Sequence, residues 1–264
     1  MSRQETNMSL ITGAVLTSAF VFLALLSYVW TPYDVTHLDI AARLATPSLD
    51  HWLGTDQLGR DVLSMLMAGA RNSLIVAVAS TGFALVIGAA LGLVAAARGG
   101  VVDGIVMRIN DVLFAFPALI LAILIGAVLG SGLLNAALAI GIFNIPVFAR
   151  LTRGQALKLW PEPYILAARL AGKGRARISI EHILPQLTGL LTTQALIQMA
   201  FSVAAESGLA YVGLGAVPPQ PSWGRMIADA QTLILQAPVQ SLAPCAAILL
   251  LVFSLNRLAE GLRK

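Results

Sequence analysis

The sequence predicts an all-α, polytopic membrane protein with six transmembrane helices. Of its 264 residues, 58% are hydrophobic and only 11% are charged, which is about half the charged fraction of an ordinary soluble domain. Six apolar runs have roughly the length that crosses a hydrocarbon core; they lie at residues 10–30, 73–97, 105–129, 133–149, 187–212 and 239–256. Lipid is therefore the expected solvent for most of this chain.

The first run is expected to be an uncleaved span. The stretch from Leu10 to Trp30 is too long for the core of a signal peptide, and no small-x-small cleavage site precedes Thr31. We divide the chain into two parts. Residues 1–72 hold the first span and a periplasmic loop, and residues 73–264 form a core domain of five spans with a long cytoplasmic loop at 150–185.

The basic residues predict the orientation. Lysines and arginines collect in the 150–185 loop, near residues 98–108 and at the C-terminus, and such residues mark cytoplasmic segments. The segment 31–70 is rich in aspartate, which suits the periplasm, so six spans place both termini in the cytoplasm. Gly82, Gly88 and Gly92 in the second span allow helix backbones to approach closely, so we expect a packed bundle.

The 150–185 loop contains the pattern of a short helix outside the membrane. Two prolines precede the pattern and two glycines follow it, which is typical of a helix start and a helix end. Four residues share one nearly flat face at helical spacing: Tyr164, Ala167, Ala168 and Ala171. Such a face suits close docking of another protein, and packing on the membrane ends of its own chain is the alternative.

The same loop resembles a known coupling element. Its LAARLAG segment at 166–172 and its HILP segment at 182–185 are similar to the glutamate-alanine-alanine loop of binding-protein-dependent ABC permeases. In that family the loop forms a coupling helix that sits in a groove of the ATPase subunit. The resemblance assigns ATPase coupling to Leu166, Ala167, Ala168, Gly172 and Pro185. The family's usual glutamate falls on Leu166, which cannot make a glutamate's salt bridge.

Three further segments extend the resemblance over most of the chain from residue 51 onward. HWLGTDQLGRD at 51–61 is similar to a segment that follows the first span in peptide and nickel permeases. DVLFAFP at 111–117 resembles the family's third span, and Glu206 with YVGLG at 211–215 resembles its E-x-x-L-S-F-L-G-L-G segment. The resemblance implies the fold of type I ABC importer permeases.

This resemblance also implies partners and a location. The chain is expected to be a pore-forming subunit in the bacterial inner membrane, in contact with membrane lipid. Its implied protein partners are two ABC ATPase subunits, a second homologous permease and a periplasmic substrate-binding protein. The predicted function is ATP-driven import of peptides, nickel complexes or similar small solutes; a stand-alone ion-coupled carrier or channel is the alternative.

Two acidic residues, Asp111 and Glu206, lie in or near apolar runs. Because an ionisable group is costly at membrane depth, both are candidates for pathway or gate residues. The alternative, which we favour, is that each holds a helix junction by hydrogen bonds to backbone or to an arginine such as Arg108.

The 51–61 segment supplies a further group of candidates. Its glycines permit tight turns, and its polar residues either contact the binding protein or form an internal ion pair that braces the loop. The group comprises Gly54, Thr55, Asp56, Gly59, Arg60 and Asp61.

Other functional classes lack support in the sequence. No G-x-x-x-x-G-K-[ST] phosphate loop occurs, so a partner must hydrolyse ATP. His37, His51 and His182 are far apart, and the chain has one cysteine, so we expect no metal site, no cofactor and no catalytic residues. Basic residues lie between apolar runs and not on one soluble face, so no nucleic-acid partner is expected.

Overall fold

The structure, a computed structural model, describes residues 3–263 and is mostly helical. Within this range ten α-helices follow one another: α1 (Arg3–Leu26), α2 (Val62–Arg98), α3 (Gly100–Ala115), α4 (Ala118–Leu129), α5 (Leu133–Leu159), α6 (Pro163–Leu170), α7 (Arg175–Ile178), α8 (Leu184–Tyr211), α9 (Trp223–Ala230) and α10 (Pro238–Leu262). A π-helical turn at Ser179–Ile183 joins α7 to α8. β pairing in the described chain is limited to one bridge between Thr55 and Asp61.

The described chain contains five continuous helical segments that are long and apolar enough to cross a membrane: α1, α2, α5, α7 with α8, and α10. The remaining predicted span, residues 105–129, is a broken one, because α3 and α4 meet at an 88° bend. Pro117 lies at the break. It has no N–H to continue the helix, and it favours the extended backbone of Phe116, at φ −82° and ψ 125°. The all-α, membrane-spanning fold is confirmed.

The second span is longer than predicted. α2 contains 37 residues and is about 55 Å long, against a hydrocarbon core of about 30 Å. It begins at Val62 because the Asp61 side chain accepts a hydrogen bond from the Ser64 N–H at 2.8 Å, which caps the helix. The division predicted at residues 72 and 73 thus falls inside a continuous helix. α5 likewise continues to Leu159, so the first ten residues of the predicted 150–185 loop belong to this helix.

α2 and α5 run parallel and form the most extensive helix contact of the bundle. A methyl group on Gly88 would come within 2.6 Å of the Ile145 carbonyl oxygen, and one on Gly92 within 2.8 Å of Thr152 Cβ. The absence of a side chain at these two positions lets the backbones touch. Gly82 faces open space, so the expected close approach holds for two of the three glycines.

Contacts between the helices define two ends of the bundle. α1 and α10 are antiparallel, and Ser9 near the start of α1 donates a hydrogen bond to Glu260 near the end of α10 at 3.2 Å. The end of α2 lies on the same side as α7, because Arg175 reaches the Arg98 carbonyl oxygen at 3.4 Å. We call this side, which also carries α6, the α6 end.

The opposite side holds the segment at residues 31–61 and the connection between α8 and α9. Gln240 at the start of α10 donates a hydrogen bond to the Thr55 carbonyl oxygen at 2.6 Å. Asn72 of α2 donates to the Pro221 carbonyl oxygen at 2.7 Å. We call this side the loop end and the segment the 31–61 loop.

Candidate functional site

α6 is a short helix with sharply defined ends. Pro163 stands in its first turn, where its missing N–H leaves no helix hydrogen bond unmade. At the other end Gly172 has φ +82°. The Gly172 N–H donates to the Arg169 carbonyl oxygen at 2.9 Å, and the Lys173 N–H donates to that of Ala168 at 3.1 Å. This Schellman ending favours glycine in the left-handed position, and the helix predicted in this loop is confirmed.

One side of α6 packs on its own chain. Ile165 is completely buried and Ala168 nearly so, and both belong to an apolar cluster with Trp160. Arg169 covers the Trp160 ring at 4.7 Å from the ring centroid. The prediction that Ala168 lies on the docking face was wrong. Ile165 is the larger apolar residue, and its burial also turns Ala168, three positions later, inward.

The opposite side of α6 is an exposed apolar surface. The exposed fraction is 46% for Leu166 and 91% for Leu170. Ala167 and Ala171 are exposed beside them, and the spacing of these four residues places them on one side of the helix. We call this surface, formed by the four residues, the α6 face.

A small ionic network holds the segment that follows α6. Glu181 pairs with Lys173 at 2.8 Å and with Arg177 at 2.6 Å. Lys173 Nζ also lies 3.0 Å from His182 Nε2. Pro185 is exposed in the first turn of α8. Exposed ion pairs add little stability, so this network orients the segment more than it stabilises the fold.

Glu206 in α8 is completely buried. One carboxylate oxygen accepts a hydrogen bond from Ser73 and the other from Ser222, each at 2.9 Å. Ser73 belongs to α2 and Ser222 directly precedes α9, so the carboxylate connects three segments. These serines stand in place of the arginine considered from the sequence. The geometry favours a bracing role over contact with a solute, since the side chain is enclosed.

The connection before α9 is fastened to α2 close to Glu206. Trp223 is buried, and its indole N–H donates to the Leu66 carbonyl oxygen at 3.0 Å. A methyl group on Gly69 would come within 2.6 Å of the Trp223 ring, so this position needs a very small residue. Glu206 therefore lies within a tightly packed junction at the loop end.

Two ion pairs join α3 to α5. Asp103 pairs with Arg153, and their side chains are 19% and 30% exposed. Asp111 pairs with Arg150 at 2.8 Å, and here the exposed fractions are 59% and 44%. The Arg150 guanidinium also lies 5.0 Å from the centroid of the Phe114 ring. The partner of Asp111 is thus Arg150 and not the arginine at position 108.

Asp56 and Arg60 pair with each other inside the 31–61 loop. Their side chains meet at 2.6 Å, with 13% of each exposed. Asp56 also accepts hydrogen bonds from the N–H groups of Leu58 at 2.8 Å and of Arg60 at 2.9 Å. Gly59 between them has φ +77°, a left-handed conformation that glycine adopts without strain. This geometry is that of an internal brace.

Asp61 connects the 31–61 loop to α2, and the Thr55 hydroxyl holds the loop together from within. Asp61 caps α2, and its carboxylate lies 3.0 Å from His51 Nδ1. The Thr55 hydroxyl donates to the Ala42 carbonyl oxygen. Gly54, at φ +75°, supplies the turn before Thr55. The six candidates of this segment therefore build the loop itself and its attachment to the bundle.

Sequence reasoning missed the residues that complete these contacts. Arg150 was assigned to a loop because the apolar run ends just before it, although the helical pattern could have been extended past it. Ser73 and Ser222 leave no recognisable pattern, since a hydroxyl is common in any segment. Within residues 3–263, no three His, Cys, Asp or Glu side chains are grouped so that they could hold a metal ion.

Comparison with known proteins places the chain in a family. The family model described as binding-protein-dependent transport system inner membrane component matches residues 88–264. Over 259 residues the chain is 37% identical to the dipeptide transport system permease protein DppC of Alkalihalophilus pseudofirmus, which covers 98% of this chain and 85% of that protein. Over 255 residues it is 40% identical to the glutathione transport system permease protein GsiD of Pectobacterium atrosepticum, with 95% and 85% covered.

A solved structure agrees in fold. The MetNI methionine ABC transporter in an inward-facing conformation superposes with a TM-score of 0.62 over 76% of this chain and 97% of that chain, at 21% sequence identity. The family match, residues 88–264, contains α6, Glu206 and the ion pairs between α3 and α5. The chain therefore belongs to the binding-protein-dependent transport system inner membrane components and is a membrane-embedded permease subunit of an ABC importer.

Proposed function

We propose that α6 is the coupling helix through which a separate ATPase drives this permease. The observation that carries the proposal is the α6 face, which exposes Leu166 and Leu170 to solvent. An exposed apolar patch of this kind marks an interaction surface. The other side of the helix is packed into the bundle through Ile165. A displacement of α6 by a bound partner would therefore also move the transmembrane helices.

The α6 end is proposed to be cytoplasmic. Arginines and lysines are concentrated around α6, α7 and the end of α10, as expected for the cytoplasmic side. Both termini then lie in the cytoplasm, and the 31–61 loop lies in the periplasm. Because Asp56 and Arg60 are used within that loop, we expect the substrate-binding protein to contact its exposed apolar residues, such as Leu49 and Trp52, which are 95% and 70% exposed.

One chain is proposed to supply half of the translocation path. α3 packs on α2 and α5, and α4 packs on α5. Both helices leave apolar side chains uncovered, including Val101 at 78% and Val128 at 82% exposure. A second, homologous permease on this side would complete the path, with two ABC ATPase subunits at the two α6 ends. The Asp111–Arg150 pair between α3 and α5 supports a partner subunit on this side, because an exposed ion pair is costly against lipid.

Short peptides are the proposed solutes. The support comes from the two relatives whose names specify dipeptide and glutathione transport. Nickel complexes, which the sequence left open, find no support in those two names and are not part of this proposal.

Site-directed cross-linking tests the coupling proposal. Cys245→Ser removes the single cysteine, and Ala167→Cys then places a thiol on the α6 face. In native membranes a bifunctional thiol reagent should join this variant to an ATPase subunit, identified by mass spectrometry. Leu49→Cys in the 31–61 loop is the matched control, and it should give no ATPase product. Cross-links to the ATPase from Leu49→Cys, or none from Ala167→Cys in an active importer, would contradict the proposal.

The stand-alone carrier makes a different prediction. If the chain worked alone, purified protein in liposomes would take up solute without ATP, and Gly172→Glu at the end of α6 would leave uptake intact. For the importer we expect uptake only in the complete assembly with ATP, and we expect Gly172→Glu to abolish it.

A further inference from the structure

The Asp111–Arg150 pair is exposed where lipid would not accommodate it. Asp111 lies about 16 Å along α3 from Gly100, and Arg150 lies about 13 Å before the end of α5 at Leu159. Ionisable groups inside membrane spans face a water-filled cavity or another part of the protein. The exposed side of this pair is therefore directed to a polar space beside α3 and α5.

The pair also retains unused hydrogen-bonding capacity. Arg150 Nη2 donates to Asp111 Oδ1 at 2.8 Å. Among the described residues, Asp111 Oδ2 and the other guanidinium N–H groups of Arg150 have no hydrogen-bond partner. By contrast, Arg153 donates to both carboxylate oxygens of Asp103, so that pair is closed. Of the two ion pairs between α3 and α5, Asp111–Arg150 therefore keeps free donors and a free acceptor for a bound ligand, whereas the carboxylate of Asp103 is fully used by Arg153.

A row of stacked phenylalanine rings extends from the Asp111–Arg150 pair. Phe114, against which Arg150 rests, stacks on Phe143 with ring centroids 5.8 Å apart, and Phe143 stacks on Phe201 at the same distance. Phe114 is 45% exposed and Phe201 is 41% exposed. Paired charges and an apolar surface are therefore adjacent on a face made by α3, α5 and α8.

We propose that Asp111, Arg150 and Phe114 form a contact site for the transported solute, and that this site recognises the paired charged termini of a short peptide. The free N–H groups of Arg150 bind the peptide carboxylate, since a guanidinium suits carboxylate geometry. The free oxygen of Asp111 accepts hydrogen bonds from the peptide ammonium group. The aromatic row contacts the peptide side chains. This inference rests on the proposed function as a peptide permease.

Uptake by the complete importer in proteoliposomes tests the site. The solutes are one tripeptide with free termini, its N-acetylated form and its C-amidated form. Asp111→Asn should lower ATP-driven uptake of the two forms with a free ammonium group about tenfold relative to the acetylated form, because a hydrogen bond to a charged group is lost. Arg150→Gln should act in the same way on the two forms with a free carboxylate. All variants use the same binding protein, so its preference cancels in each ratio to wild type.

Charge reversal separates recognition from assembly. Asp111→Arg with Arg150→Asp keeps an ion pair, so the importer should assemble and hydrolyse ATP but lose the wild-type preference among the three solutes. The control is Asp103→Arg with Arg153→Asp, which should keep that preference. Equal loss for all three solutes in the single variants, or wild-type preference in the Asp111/Arg150 reversal, overturns the site while the proposed function stands. A wild-type importer without ATP-driven uptake of any of the peptides overturns both.

Discussion

At the scale of single residues, Glu206 is an acidic side chain that holds helices together. It is fully buried and accepts hydrogen bonds from two hydroxyl groups, those of Ser73 and Ser222. Glu206→Ala would leave both hydroxyls without their acceptor and would open a cavity, so we expect a loss of about 3 kcal/mol of stability. Thermal unfolding of the purified assembly in detergent would measure this loss as a lower transition temperature.

The conservative variant shows which part of that loss is due to hydrogen bonding. Glu206→Gln keeps the volume and one acceptor oxygen, and its amide can donate to a serine oxygen. We expect its transition temperature to lie between those of wild type and Glu206→Ala. A Glu206→Ala protein as stable as wild type would contradict the bracing role.

Gly172 and Gly174 form a matched pair for testing the end of α6. An added Cβ would meet no atom within 4 Å at either position, but Gly172 has φ +82° whereas Gly174 has φ −69°. Gly172→Ala therefore strains the backbone by about 1 kcal/mol or more, and Gly174→Ala does not. We expect ATP-driven uptake to fall severalfold in Gly172→Ala only. Equal uptake in both variants would mean that the left-handed ending of α6 has no part in coupling.

Local backbone conformations were predictable from the sequence, whereas contacts between residues far apart in the chain were not. The turns at Gly54, Gly59 and Gly172 follow from local pattern, because a tight turn depends on neighbours along the chain. Glu206 and Ser73 are 133 positions apart, and only the packing of α8 on α2 brings them together. Ala168 was misassigned for a related reason: the spacing gives the faces of a helix, but burial of Ile165 decides which face turns inward.

At the scale of helices, glycine positions in α2 determine how closely α5 approaches. Gly88→Ala would force a methyl group to within 2.6 Å of the Ile145 carbonyl oxygen, so the helices would have to separate. We expect a loss of about 3 kcal/mol, at the upper range for overpacking. The measurement is thermal unfolding in detergent together with the yield of folded protein from membranes.

Gly82→Ala is the control for this prediction. It lies in the same helix, but no atom comes within 4 Å of the position of an added methyl group. Alanine also has the higher helix propensity, so the variant should be as stable as wild type or slightly more so. Comparable losses in both variants would indicate that the α2–α5 contact does not depend on the small residue at Gly88.

The sequence predicted which segments are helical better than it predicted where those helices begin, end or bend. The run predicted at 73–97 misses the first turns of α2 because Arg71 and Asn72 interrupt the apolar pattern, although Asp61 and Ser64 already form a cap. The bend between α3 and α4 was missed because an apolar run continues on both sides of Pro117. Hydropathy measures compatibility with lipid, and it does not report where a backbone hydrogen-bond ladder is broken.

At the scale of the whole molecule, the two ends of the bundle have different chemical tasks. The α6 end presents an exposed apolar helix face among basic residues, whereas the loop end is a closed network built around Asp56, Asp61 and Glu206. The long parallel helices α2 and α5 connect the two ends. In the proposed mechanism, a displacement of α6 is transmitted through α5, which carries Arg150, to the proposed solute contact site at Asp111, Arg150 and Phe114.

The proposed orientation in the membrane can be measured by labelling. In a Cys245→Ser background, Leu49→Cys marks the loop end and Arg263→Cys marks the α6 end; both positions are exposed. A membrane-impermeant maleimide added to spheroplasts should label Leu49→Cys only, because a basic end stays in the cytoplasm. In inside-out vesicles it should label Arg263→Cys only.

Ala171→Cys on the α6 face should react in inside-out vesicles after the ATPase subunits are stripped off and much less before. Labelling of Arg263→Cys in intact spheroplasts would reverse the orientation and would remove the ATPase from the α6 face.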